Sequence, residues 1–125
     1  MLKKKITFLL FFAFVWLTSQ TLDVMSYNIR LSLPSDGENY WEKRKPDVLA
    51  LLTYYNPVVF GVQEAVPAQV ADLTSGLKKY SYLGVGREDG ASKGEFSAIF
   101  YDKTQLKNLN NGTFWLSEKS MREFS

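Results

Sequence analysis

One run, Val58 to Gln63 (VVFGVQ), constrains this chain more than any other. It is almost continuously apolar, has the length of a strand, and lies between two stretches of helical period. Upstream, from Tyr40, Val48, Leu51, Leu52 and Tyr55 fall at i, i+3, i+4 and i+7 and predict one apolar helix face. Pro46 suits the first turn of that helix, and Asn56-Pro57 ends it. Downstream, Pro67 opens a second predicted helix with Val66, Val70, Leu73 and Leu77 on one face. An apolar strand flanked by amphipathic helices needs cover, and helices packed on one face of a sheet supply it, so the pattern predicts a layered α/β fold.

The other elements fit that scheme. Leu22 to Arg30 (LDVMSYNIR) reads as a buried strand, and Leu31 to Asn39 as a loop marked by Pro34 and Asp36-Gly37. Tyr80 to Gly86 reads as a short strand, Arg87 to Gly94 as a polar loop, and Phe96 to Tyr101 (FSAIFY) as a third core strand. Leu106 to Leu116 predicts a strand or hairpin around Asn111-Gly112, a favoured turn dipeptide that also forms a glycosylation sequon with Thr113. Tyr101 and Trp115 are expected to pack on the sheet. The predicted order is β, α, β, α, β, β, β.

Residues 1–19 read as an address. Lys3-Lys4-Lys5 precede an uncharged run, Ile6 to Leu17, and Thr18-Ser19-Gln20 turn polar. This is the pattern of a secretory signal peptide; a membrane span needs about 20 apolar residues. The expected location is secreted or periplasmic, with an uncleaved N-terminal tether as the alternative. Without the three lysines the chain has 12 basic and 13 acidic residues, which gives no support for a broad nucleic-acid footprint. The chain has no cysteine and no histidine. Disulfides, thiolate zinc sites, thiol nucleophiles and a histidine base are excluded for this chain on its own.

Two polar residues close apolar strands: Asn28 the first, Glu64 the second. Ligands of open α/β sheets gather at the carboxyl ends of strands. An amide oxygen and a carboxylate meeting there suit Mg²⁺ or Mn²⁺, hard cations that take oxygen ligands and keep several waters. By position alone, a solvated strand end and a turn-forming Asn explain the same residues.

The wording around these residues adds more. Met25-Ser26-Tyr27-Asn28-Ile29-Arg30 and Gly61-Val62-Gln63-Glu64-Ala65 resemble the first two motifs of the endonuclease/exonuclease/phosphatase (DNase I-like) superfamily. Three further stretches match a secreted bacterial branch: Asp36 to Lys45, Gly84 to Gly90 with Gly94 to Tyr101, and Gly112 to Glu118. The resemblance implies a four-layer α/β sandwich, present here in part as one sheet with flanking helices, over residues 20–125. It implies that Asn28 and Glu64 lie at a divalent-metal site. It implies that Glu95 supports a catalytic histidine; as this chain has none, Glu95 is expected to face an unfilled space. Arg87 is a candidate phosphate clamp.

The family's later motifs, a histidine, Gly-Asp-x-Asn and Asp-His, have no match after Glu118. Sandwiches routinely need about 200–250 residues, and roughly 105 follow the address. The expectation is the N-terminal portion of a metal-dependent phosphoesterase, inactive alone. Its substrate class is nucleic acid, phospholipid headgroup, or sugar or inositol phosphate, and nothing points to an obligate protein partner. The alternative is a non-catalytic remnant or binding module.

Overall fold

The computed structural model describes residues 21–115; the predicted address at 1–19 and the segment from Leu116 onward lie outside the described residues. Four strands form one mixed sheet in the order β1-β2-β4-β3: β1 Val24–Asn28, β2 Val59–Ala65, β3 Tyr80–Leu83 and β4 Phe96–Asp102. Strands β1 and β2 run parallel, with Val24 opposite Val59 and Asn28 opposite Gln63. Strand β4 pairs antiparallel with both β2 and β3. A 3-10 turn, Pro34–Asn39, and helix α1, Trp41–Tyr55, connect β1 to β2; helix α2, Pro67–Gly76, connects β2 to β3.

The sheet has one covered face and one open face. Phe60, Val62 and Ala65 of β2 and Phe96, Ala98 and Phe100 of β4 are buried in one cluster with Val48 and Leu52 of α1 and Val70 and Leu73 of α2. Phe60 and Phe100, paired across the strands, stack at 4.8 Å, and Tyr80 meets Phe60 edge-on. Such aromatic pairs add about 0.5–1.5 kcal/mol beyond the area they bury. The alternate residues Val24 and Ile99 face outward and are exposed. Among the described residues there is no second sheet over that face. Only the irregular stretch 110–114 borders it, bounding a cleft of about 350 Å³ with Leu83, Gly84, Ser97 and Ile99.

Several expectations are corrected. The buried stripe of α1 is Trp41, Val48 and Leu52, while Leu51 and Tyr55 are exposed. Val48 and Leu52 of the predicted face are buried as expected; the helix starts at Trp41, which is buried too and whose indole donates to Asp72 of α2. Pro46 therefore lies inside α1, beyond its first turn. No strand or hairpin forms over 106–115. Asn111-Gly112 has no flanking pair of strands to join, and a lone hairpin is at best marginal in water. Strand β2 runs on to Ala65, so Glu64 lies within it rather than at its end.

Candidate functional site

Glu64 owes its direction to a bulge. Val62 pairs with Ala98 and Ala65 with Phe96, so β2 spends three residues where β4 spends two. Strand alternation would send Glu64 to the same face as Phe60 and Val62. The extra residue gives that buried place to Ala65 instead. Glu64 takes φ 61°, the left-handed region that costs a non-glycine residue free energy. Bulges next to sites re-aim side chains in this way.

The re-aimed carboxylate meets Asn28 from the neighbouring strand. Asn28 Nδ2 donates to Glu64 Oε1 at 2.7 Å, and the Leu31 backbone N–H donates to Oε2 at 3.2 Å. Asn28 Oδ1 accepts the Arg30 backbone N–H at 2.9 Å, which fixes the orientation of the amide. The Asn28 amide, the Leu31 N–H and the nearby Arg30 charge hold the Glu64 carboxyl below its ordinary range, so it is ionised at neutral pH. Both carboxylate oxygens and Oδ1 each carry one hydrogen bond and keep a second lone pair.

The chain leaving β1 is clamped in turn. Arg30, also at φ 61°, forms a bidentate pair with Asp36, with contacts of 2.8 and 2.9 Å. Arg44 of α1 donates to the carbonyls of Ile29 and Arg30. Gln69 of α2, fully buried, donates from Nε2 to the Arg30 carbonyl at 2.9 Å and accepts the Val66 N–H at Oε1. Asp36, Arg44 and Gln69 were not singled out from sequence. For Gln69 a signal existed: Pro at the first helical position with Gln at the third marks a helix start.

The remaining candidates sit at the same end of the sheet, since Phe96 pairs with Ala65. Glu95 does not face an unfilled space: its Oε1 pairs with Arg87 Nη2 at 3.0 Å. A carboxylate beside a guanidinium gains a charge-assisted bond, and Arg87 supplies it here. Arg87 is mostly exposed and its backbone carbonyl accepts the Trp115 indole N–H at 3.3 Å. Among the described residues no group of three or more acidic side chains could enclose a metal ion.

A mixed sheet with helices on one face, and an Asn–Glu pair bridging the adjacent parallel strands near their carboxyl ends, make up one sheet-and-helix half of a layered α/β fold. In fold and sequence the chain corresponds to part of an endonuclease/exonuclease/phosphatase domain of the DNase I-like superfamily. It is 36% identical to an endonuclease/exonuclease/phosphatase from Bacteroides vulgatus, with a TM-score of 0.77, over 80% of this chain and 38% of that one. It is 41% identical to a mannosyl-6-phosphatase from Bacteroides thetaiotaomicron, with a TM-score of 0.75, over 78% of this chain and 38% of that one. It is also 27% identical over 119 residues to an uncharacterised protein of Acanthamoeba polyphaga mimivirus, 17% of whose length it spans. The chain thus spans well under half the length of these relatives. No protein-family model matches the sequence.

Proposed function

We propose that the chain contributes the Asn28–Glu64 part of a divalent-metal phosphoesterase site. The observation that carries this is the 2.7 Å contact between two side chains 36 residues apart, one of them on a strained bulge. The donor set suits Mg²⁺ or Mn²⁺: one ionised carboxylate and one amide oxygen, exposed enough to leave room for water and a substrate phosphate. Such an ion, when bound, polarises a phosphoryl oxygen and offsets its charge. Asn28 and Glu64 would hold it. The Asn28 amide keeps Glu64 oriented and ionised, and Arg87, at the same end of the sheet, could donate to a phosphate once turned from Glu95.

Of the substrate classes, a sugar phosphate has the support of the similar mannosyl-6-phosphatase; nucleic acid, phospholipid headgroup and inositol phosphate share the same scissile chemistry. The signal-like pattern of residues 1–19 supports a location outside the cytoplasm. The Arg87–Glu95 pair, in which each side chain occupies the other, also favours a second reading, a non-catalytic remnant or binding module. On either reading we expect no turnover from the chain by itself, because among the described residues no group of three or more acidic side chains gathers to fix an ion and orient a water.

The test is Mn²⁺ binding to the purified chain, read by water-proton relaxation, beside turnover of mannose 6-phosphate, plasmid DNA and an aryl phosphodiester with and without EDTA. The expected result is weak Mn²⁺ binding abolished in Glu64→Gln, with no turnover. Mn²⁺ binding that survives Glu64→Gln would refute the site. EDTA-sensitive turnover lost in Glu64→Gln would refute the inactivity.

A further inference from the structure

Gln69 is a polar side chain buried to 0% exposure, and both ends of its amide are used. Its Oε1 accepts the Val66 N–H at 3.1 Å, an ordinary contact for the third residue of a helix. Helix starting therefore accounts for the oxygen and leaves the nitrogen unexplained. Nε2 reaches across to the Arg30 carbonyl at 2.9 Å, on a segment 39 residues away in sequence. The two backbone groups it joins lie two residues beyond Asn28 and two beyond Glu64. One buried amide thus ties the chain leaving β1 to the chain leaving β2, just past the two candidate ligands. Arg30 and Glu64, flanking this tie, both have φ 61°. Backbone of that kind persists only where its surroundings over-determine it.

We propose that Gln69 is a positioning residue that holds Asn28 and Glu64 in register to share a divalent cation. This rests on reading that pair as the ion-binding pair. Gln69 touches neither ligand side chain. It acts through the Arg30 carbonyl and the Val66 N–H, which set the exits of the two strands. If it is lost, the β1 exit relaxes, the Leu31 N–H leaves Glu64, and the oxygens drift apart.

The experiment uses the full chain without metal and then with Mn²⁺. Gln69→Met keeps length and burial but removes both hydrogen bonds. Gln69→Glu keeps an oxygen for Val66 and, when ionised, replaces the donor to Arg30 with an acceptor, at the added cost of a buried charge. Val70→Ala, one residue on in the same buried helix, is the control for general destabilisation. NMR reads the exchange rate of the Leu31 amide and the Asn28 side-chain amide resonances; relaxation titration reads Mn²⁺ affinity. Both Gln69 variants should accelerate Leu31 exchange, shift the Asn28 amide and weaken Mn²⁺ by about tenfold or more, the usual scale for losing a partner that orients a metal ligand. Val70→Ala should do none of these. If wild type and both Gln69 variants bind Mn²⁺ equally, or if Val70→Ala reproduces the changes, the positioning role is wrong and the ion-binding reading survives. If the wild-type chain binds no Mn²⁺, the reading and the inference fall together.

Discussion

Asp102 shows what a buried carboxylate does when every lone pair has a partner. It is 1% exposed, and its oxygens accept from Lys79 Nζ at 2.7 Å, from the Thr104 hydroxyl and backbone N–H, and from the Gln105 side-chain amide. Those donors, Lys79 foremost, hold its carboxyl far below the ordinary carboxylate range. A carboxyl whose folded pKa is depressed stabilises the fold at pH values above its unfolded pKa. That contribution is lost as pH falls through the folded value. Asp102→Asn should therefore destabilise the chain by about 1–3 kcal/mol at neutral pH. It should also flatten the loss of stability below pH about 4, as urea titrations across that range would show. The Glu64 carboxyl is depressed in the same direction, first by the Asn28 amide. Asn28→Ala should raise its pKa toward the ordinary carboxylate range, visible in carboxyl-carbon NMR, with little effect on global stability because the site is exposed.

Single backbone positions decide how the elements begin and end. Helix α1 stops at Asn56, whose φ of 48° and ψ of 46° let its N–H donate to Leu52 O at 3.0 Å. Left-handed backbone costs an alanine about 1–2 kcal/mol, and asparagine tolerates it through its short polar side chain. Asn56→Ala should lower stability by about 1 kcal/mol in thermal melts, while Asn56→Gly should be neutral or slightly stabilising. The loop between β3 and β4 depends on a different constraint. A Cβ on Gly86 would lie 2.1 Å from the Lys93 carbonyl oxygen, and backbone cannot turn aside as a side chain can. Gly86→Ala should therefore open this loop and cost about 1–3 kcal/mol, typical of overpacking. The change would be readable as lost amide protection at Arg87, whose N–H donates to Glu95 O.

The molecule as a whole is two layers with one sheet face left bare among the described residues, its exposed apolar side chains set among polar ones such as Ser26 and Gln63. Val24, Ile99 and Phe114 are all exposed on or beside that face. Exposed apolar area of this kind promotes association. Ile99→Lys should reduce self-association in sedimentation velocity without loss of fold, since Ile99 points outward from β4. Phe100→Ala, one residue along on the covered face, should cost about 3–5 kcal/mol and melt the domain. The opposite results from adjacent residues would verify which face carries the core.

The sequence by itself determined the strands, the helices and their order through β4, because apolar period and Pro or Asn breaks act locally. It also pointed to Asn28 and Glu64, through the resemblance of the stretches around them to two family motifs rather than through their position alone. Tertiary structure decided what those patterns leave open. That α1 buries Trp41 with Val48 and Leu52 while Leu51 and Tyr55 stay exposed depended on what packs against it, Asp72 of α2 included. The 106–115 stretch formed no strand because a strand exists only where another offers its hydrogen bonds. Glu64 was aimed at Asn28 by a bulge that exists only once β2 pairs with β4. Gln69 reads in sequence as a helix-starting residue; only the packing of α2 against the β1 exit gives its nitrogen the Arg30 carbonyl to bind.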